Sequence, residues 1–309
     1  MVKERTRGTL PGLGRSALSL AAGAASLLLL RGLLEPYVLR EEREIARVPN
    51  LPPTWQGRKL VLLSDLHVGM VGGATSTVRR AVERAVELRP AAVLIAGDFI
   101  HDSVGFIDQA LELLTPLRDA QIPVYAVLGN HDYDLPTRDS GVDPGLADRL
   151  ERALEAGGIE VLHNEAVELK ASDDSLYLVG IGSHTARDDE PREALESLPE
   201  GAPRVVMMHH PASFDRLPAG SAPFAVAGHT HGGQVRLPLA PLLHYLTYKK
   251  ELSVLVSGWV NSDRIKGYGR EGNNLYVTRG IGCSVLPLRL FCLPELTVFT
   301  LTGCDGAVP

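Results

Sequence analysis

Two histidines and three glycines are concentrated in one short turn of the sequence, VAGHTHGGQV at residues 226–235. An apolar run ends at Gly228, and His229 and His231 follow with one residue between them. Side chains with this spacing at the end of a strand can both face one site as the chain turns, and glycine permits a tight turn. Imidazole nitrogen is a ligand of transition metals. The turn therefore predicts a metal site, provided that other strands bring further ligands to it.

Four other apolar runs also end in side chains that can bind metal. The candidate ligands are, in chain order, Asp65 and His67, Asp98, Asn130, His209, and finally His229 and His231. Because ligands of α/β proteins bind at the carboxyl ends of strands, we expect these five ends to meet. The mixture of imidazole, carboxylate and amide groups suits Mn, Fe, Zn or Co better than Mg or Ca. Seven groups are too many for one ion and predict two divalent ions roughly 3.5–4 Å apart.

Strands and helices alternate in the first half of the chain, whereas strands follow one another in the second half. Val78, Ala81, Val82 and Ala85 have helical spacing within residues 77–90. Further amphipathic helices are predicted at 106–120 and 144–158. This order predicts an α/β fold of βαβ units followed by a mixed sheet.

The composition indicates a globular domain with a packed core. The chain has 309 residues, of which 45% are hydrophobic and 22% charged. The formal net charge of −6 argues against a nucleic-acid partner. The cysteines, Cys283, Cys292 and Cys304, match no metal or redox spacing. Composition sets no oligomeric state.

An apolar run from Ser16 to Leu34 contains a single charge, Arg31. About 20 apolar residues cross a bilayer, and the run reaches this length when Arg31 extends to the interface. We expect a transmembrane or signal-anchor helix, with a cleaved signal peptide or a helix packed on the domain as alternatives. Basic residues flank the run equally, so the positive-inside rule sets no orientation.

The expected organisation has four parts. Residues 1–34 form a tail and anchor helix, 35–57 a linker, 58–302 the main domain, and 303–309 a short tail. Within the main domain, residues 236–262 are rich in Leu, Tyr and Val. They are expected to be core elements or, alternatively, an apolar lid that meets lipid beside the metal site.

Five motifs together resemble those of the calcineurin-like metallophosphoesterase superfamily. They are DLH (65–67), GD (97–98), GNHD (129–132), HHP (209–211) and GHTHGG (228–233). The resemblance covers residues 58–302, and the segment 276–301 is similar to the membrane-anchored bacterial branch of YkuE/YaeI type. It implies a four-layer β-sandwich flanked by helices, here preceded by one N-terminal membrane-anchor helix.

The resemblance also implies roles for the candidate ligands. The first ion would be bound by Asp65, His67, Asp98 and His231, and the second by Asp98, Asn130, His209 and His229. Asp98 would bridge the ions, and a hydroxide between them would attack phosphorus. His131 would act as the general acid for the leaving oxygen.

The chain departs from the family pattern at two positions near the ligands. Relatives often have Asp where His101 stands, to orient the catalytic histidine, and Asp102 comes next here. Asn is common where His210 stands. The residues expected to contact the ligands or the substrate, rather than the metal, are His101, Asp102, Asp132 and His210.

The expected function is hydrolysis of a phosphodiester or pyrophosphate bond by a phosphoesterase anchored in the inner membrane of a bacterium. The anchor and the apolar segment favour a lipid-linked, phospholipid-like substrate. One alternative is a pyrophosphatase acting on a UDP-2,3-diacylglucosamine-type precursor of lipid A. Another is a non-catalytic metal-binding scaffold, although such a protein would be expected to lack some of the ligands.

Overall fold

The computed structural model of the chain describes residues 12–70, 72, 74–101, 103–134, 144–236, 257–261 and 269–304. Asp102 and most of the segment 236–262 lie outside the described residues, as do the predictions made for them. The helices are α1 Gly12–Leu34, α2 Thr75–Leu88, α3 Ile107–Asp119, α4 Pro144–Ala156 and α5 Pro191–Glu196. The strands of the first half are β1 Arg40–Pro49, β2 Lys59–Leu63, β3 Ala92–Ala96, β4 Val124–Val127 and β5 Ile159–Val161. Those of the second half are β6 Glu165–Ala171, β7 Asp174–Gly180, β8 Arg204–Met207, β9 Ala225–Ala227, β10 Gly258–Asn261, β11 Asn274–Val277 and β12 Glu295–Cys304.

The strands form two six-stranded mixed sheets. The first sheet has the order β1-β12-β2-β3-β4-β5, in which β2 to β5 run parallel and β12 is antiparallel to β2. The second has the order β10-β11-β9-β8-β7-β6, in which β7, β8, β9 and β11 run parallel. The parallel strands of each sheet therefore end at a common edge.

The apolar residues divide the molecule into four layers. Along β2, Leu60 and Leu62 face the second sheet, while Val61 and Leu63 face α2, α3 and α4. This alternation follows from the two-residue period of a strand. The outer face of the second sheet is covered by α5 and the short helix 211–216. The expected α/β sandwich flanked by helices is confirmed.

The segment predicted as a linker, 35–57, is instead part of the first sheet. Its strand β1 pairs in parallel with β12 from Arg40 opposite Glu295 to Pro49 opposite Cys304. Ala46 and Val48 are fully buried between the sheets. The strand β12 also extends two residues past the predicted domain end at 302. The folded domain thus begins directly after the N-terminal helix.

The N-terminal helix α1 is apolar on all sides, and most of its described side chains are exposed. The stretch Leu18–Tyr37, which runs three residues past α1, is long and apolar enough to cross a membrane, and only 11% of its most apolar window is buried. A helix of this composition needs an apolar surrounding, which the described protein does not supply. These features make α1 a candidate membrane anchor, and a signal sequence shares them.

We expect that β1 is required for stability. A chain that begins at Leu51 lacks β1, whereas one that begins at Val38 retains it. Burial of Val48 alone stabilises a fold by about 2 kcal/mol, and loss of β1 also exposes the edge of β12 to aggregation. Thermal unfolding should show a lower midpoint and poorer reversibility for the shorter chain. Equal midpoints would contradict the assignment of β1 to the cooperative fold.

Candidate metal centre

Five strand ends from the two sheets converge on one site. The ends of β2, β3 and β4 carry the candidates from Asp65 to Asn130, and those of β8 and β9 carry the three later histidines. The backbone connects the two sheets here, because the Ile281 N–H, after β11 of the second sheet, donates to the Ser64 carbonyl after β2 of the first. Within the second sheet, the Gly228 N–H donates to the His209 carbonyl and joins the ends of β8 and β9. All seven predicted ligands lie at this junction, and most are buried.

The first set of donor atoms comes from four side chains. His67 Nε2 lies 3.0 Å from His231 Nε2 and 3.4 Å from Asp98 Oδ2. His231 Nε2 lies 3.4 Å from Asp65 Oδ1. The four residues each offer one atom within 4.8 Å of the others, as a common ion requires.

The second set converges on the amide oxygen of Asn130. Its Oδ1 lies 3.2 Å from His209 Nε2 and 3.0 Å from His229 Nδ1. His209 Nε2 is also 3.2 Å from Asp98 Oδ2. The other ring nitrogen of His209, Nδ1, lies 2.7 Å from the Ala96 carbonyl, which fixes the orientation of the ring.

Both sets share one oxygen atom, Asp98 Oδ2, so they are adjacent and joined by a carboxylate. Two ligand atoms that bind one ion at about 2.1 Å lie roughly 3.0–3.4 Å apart at octahedral to tetrahedral angles. The observed separations fall in this range. The donors therefore fit two divalent ions both in chemistry and in spacing.

The electrostatics of the histidines suit metal binding. Burial lowers the pKa of His67 and of His229 to about 3, so both imidazoles are neutral at pH 7 and offer a lone pair. Burial is the largest single influence on the pKa of His209 and acts to lower it. The charge and hydrogen bond of Asp98, the charge of Asp65 and the hydrogen bond to Ala96 together outweigh burial, so the pKa rises to about 9. An ion held by His209 must therefore displace a proton.

Five of the seven candidate ligands have a backbone conformation that non-glycine residues rarely adopt. Their φ angles are 54° at Asp65, 44° at His67, 56° at Asp98, 71° at His229 and 50° at His231. Such residues cost roughly 1–3 kcal/mol each and persist where the surroundings enforce them, as at functional sites. The motif spacing of two predicted the shared direction of these side chains, but not this conformation.

Glycines keep the backbone close to the ligands. Gly97 has φ +82°, and a Cβ there would lie 2.6 Å from the Gly129 nitrogen and 2.7 Å from His209 Nδ1. A Cβ on Gly228 would overlap the Ser64 hydroxyl and lie 2.7 Å from Asp65 Oδ2. The glycine beside the paired histidines is therefore required by close packing against the first strand end.

The carboxylate of Asp132 positions the loops that carry the bridging residue. It accepts N–H groups from Asp98 at 2.9 Å, Phe99 at 2.8 Å, Ile100 at 3.3 Å and Gly129 at 2.8 Å. These bonds join the loop after β3 to the loop after β4. Asp132 thus acts through the backbone and not as a ligand.

His131 and His101 lie beside the first set of donors. The ring of His131 lies 4.7 Å from the ring of His67 and stacks on His101 at 5.2 Å with an interplanar angle of 19°. His101 Nδ1 is 3.4 Å from His67 Nδ1. The backbone N–H of His131 donates to Asp98 Oδ1 at 2.9 Å. His101 therefore contacts the expected general acid through its ring face.

His210 lies beside the second set. Its ring is 4.1 Å from that of His229, and its Nε2 lies 2.6 Å from the Thr185 hydroxyl. Its Nδ1 is buried without a hydrogen-bond partner among the described residues. The next ring, His184, is paired with the buried carboxylate of Asp189 at 2.9 Å. These contacts place His210 against the candidate ligand His229, and its role remains a prediction.

Two residues that support His231 were not anticipated from the sequence. Arg289 is fully buried, and its Nη2 lies 3.4 Å from His231 Nδ1 while donating to the carbonyls of Arg279 and Gly282. Cys292 Sγ donates to the His231 carbonyl at 3.3 Å. The only sequence signal was their place in the distinctive segment 276–301.

We expect Asp132→Asn to weaken metal binding although Asp132 binds no metal. An asparagine amide cannot accept at both ends, and loss of charge-assisted bonds costs about 1.5–3 kcal/mol. The unfolding midpoint should fall, and titration calorimetry should show weaker Mn²⁺ binding. The matched control is Asp134→Asn, an exposed residue in the same loop. Equal behaviour of the two variants would contradict the role of Asp132.

Comparison with known proteins agrees with this geometry. Residues 58–233 match the family model of the calcineurin-like phosphoesterases. Phosphodiesterase YaeI of Escherichia coli K12 is 30% identical over 249 residues, 79% of this chain and 82% of that protein. UDP-2,3-diacylglucosamine pyrophosphatase LpxG of Chlamydia muridarum is 24% identical over 86% of this chain and 90% of its own. The metallophosphoesterase YkuE of Bacillus subtilis is 25% identical over 88% of each. The chain belongs to the calcineurin-like phosphoesterase family and is a metal-dependent phosphoesterase.

Proposed function

We propose that this protein is a membrane-anchored phosphodiesterase that uses two divalent ions and acts on a lipid-linked substrate. The first ion would be held by Asp65, His67, Asp98 and His231, and the second by Asp98, Asn130, His209 and His229. The observation that carries the proposal is the single oxygen Asp98 Oδ2, which lies 3.4 Å from His67 Nε2 and 3.2 Å from His209 Nε2. When bound, the ions supply Lewis acidity toward the phosphoryl oxygens and lower the pKa of water.

The protein side chains divide the remaining work. Asn130 is a neutral ligand, so the loaded site keeps a net positive charge that attracts a phosphate. His131 delivers a proton to the leaving oxygen. Its backbone is fixed by the N–H bond to Asp98 Oδ1, and its ring is fixed by the stack on His101. The bridging carboxylate and the general acid are thus held in a fixed position relative to each other.

The substrate assignment is supported by the N-terminal helix. Its exposed leucines, which include Leu18, Leu20 and Leu27, give it an apolar surface on all sides, as expected for a bilayer anchor. A domain tethered in this way meets lipids at high local concentration. YaeI, a phosphodiesterase, is similar over most of the chain, which supports a diester as the bond cleaved.

A second candidate is a pyrophosphatase for a UDP-2,3-diacylglucosamine-type lipid. The observation in its favour is the similarity to LpxG over 306 aligned residues. Both reactions break a bond between phosphorus and a leaving oxygen, and both would use the same metal-binding side chains. Incubation with the nucleotide-linked lipid separates them, because release of UMP assigns the pyrophosphatase and hydrolysis of phosphodiesters alone assigns the first candidate.

We expect Asp98→Asn to lower the rate of bis-p-nitrophenyl phosphate hydrolysis by about a thousandfold or more, because both ions would lose a shared ligand. The assay uses the full chain with Mn²⁺ and, in parallel, with chelator. Asp119→Asn, which changes a carboxylate with 62% side-chain exposure, is the matched control and should retain native turnover. Native turnover by the Asp98 variant would refute the proposed centre, and metal binding without turnover in the native chain would favour a scaffold.

We expect His131→Gln to lower kcat by about a hundredfold or more for a diester with a poor alkoxide leaving group. The loss should be much smaller for p-nitrophenolate, which needs little protonation. Calorimetry should show that Mn²⁺ binding is unchanged. An equal loss for both leaving groups would contradict the role of His131 as general acid.

A further inference from the structure

The loop from Ser284 to Leu290 exposes two apolar side chains close to the metal centre. Val285 is 83% exposed and Leu286 is 51% exposed. Val285 also has φ +61°, which is an outlier for a β-branched residue. Exposure and strain both cost free energy, so this conformation has to be enforced by neighbouring groups.

Gln234 holds the loop. Its side-chain amide donates to the carbonyls of Ser284 and Leu286 at 2.9 Å each and accepts the Ser284 N–H at 2.9 Å. Gln234 directly follows the metal turn that contains His229 and His231. At the base of the loop, the Gly282 N–H donates to the Asp65 carbonyl at 2.6 Å. The exposed tip is therefore fixed relative to the ligands.

The same loop is fixed to the end of α1. The Arg289 N–H donates to the Gly32 carbonyl at 2.9 Å, and the Arg31 guanidinium lies 4.0 Å from the centre of the Phe291 ring. Buried Glu35 accepts the Cys292 N–H at 3.0 Å and pairs with Arg31 at 2.5 Å. The helix therefore emerges from the domain beside the apolar tip, at a fixed position and not on a flexible tether.

We propose that Val285 and Leu286 insert into the membrane interface beside the C-terminal end of α1 and seat the metal centre at the bilayer surface. The inference rests on the proposed anchoring by α1. The bilayer is the occupant that fits, because the loop is bonded to α1 at Gly32, next to the exposed Leu33 and Leu34, and residues 284–288 carry no charge. The substrate class that suits this seat is an amphipathic phosphoester whose acyl chains remain in the bilayer.

The test is lipid quenching of a tryptophan placed at the tip. The full chain with V285W is reconstituted into vesicles of phosphatidylethanolamine and phosphatidylglycerol that contain lipid with a doxyl group near the headgroup. Val285 is open to its surroundings, so tryptophan fits there, and thermal unfolding checks the fold. The matched control is I45W on β1, since Ile45 is 61% exposed and β-branched. It pairs with Thr300, five residues past the start of β12, and so lies away from the loop that precedes β12. The native signal of Trp55 and Trp259 is subtracted.

Quenching of V285W without quenching of I45W is expected and supports the seat. If neither variant is quenched, the proposed insertion is overturned. Blue-shifted emission from V285W without quenching would also overturn it, because segment 237–256 or a second copy of the chain would then cover the tip. Hydrolysis of bis-p-nitrophenyl phosphate is measured in the same vesicles. Selective quenching without hydrolysis by the native chain would leave the seat standing while the proposed reaction fails.

Discussion

The structure depends on one buried carboxylate, that of Asp98. Of its two oxygens, Oδ2 faces both donor sets and Oδ1 accepts the His131 N–H, while the backbone N–H of Asp98 donates to Asp132. A charge so deeply buried is stable only when opposite charge and hydrogen bonds surround it. The ends of β2 and β4 in the first sheet and of β8 in the second supply those groups. Two bound cations would complete the neutralisation of this charge, which the surrounding protein groups achieve only in part.

Much of the site could be predicted because its signals are local. Each ligand follows an apolar strand within a few residues, so periodicity and motif spacing placed all seven at strand ends. The strand β1 could not be found in this way. Its first half, REERE, is charged, and the strand forms by pairing with β12, which is distant along the chain. Arg289 was missed for the same reason, since only the folded chain brings it to His231.

The strained backbone of the ligands explains how the site keeps its shape without help from ordinary secondary structure. Asp65 and His67 lie two and four residues past the end of β2, and both have positive φ angles. His229 and His231 stand in the same way after β9. The turns are held from outside, by Asp65 accepting the His229 N–H at 3.0 Å and by Arg289 and Cys292 behind His231. Rigid surroundings of this kind hold ligand atoms in place before an ion arrives, which reduces the entropy lost on binding. The same contacts extend to Gly32 at the end of α1, so the centre and the helix end form one rigid unit.

The charged strand β1 has a consequence for contacts between neighbouring copies of the protein. It is an outer strand of its sheet, and a free strand edge can pair with the edge of a neighbouring molecule. Glu41 and Glu42 are tied back by Arg84 and Arg279, and Glu44 accepts the Trp259 indole N–H. Copies anchored in one membrane would all have the same orientation, so their β1 edges would lie at the same distance from the bilayer. Charged side chains held along the β1 edge would oppose strand pairing between copies that meet in the plane of the membrane. Such copies could therefore meet repeatedly without aggregating edge to edge.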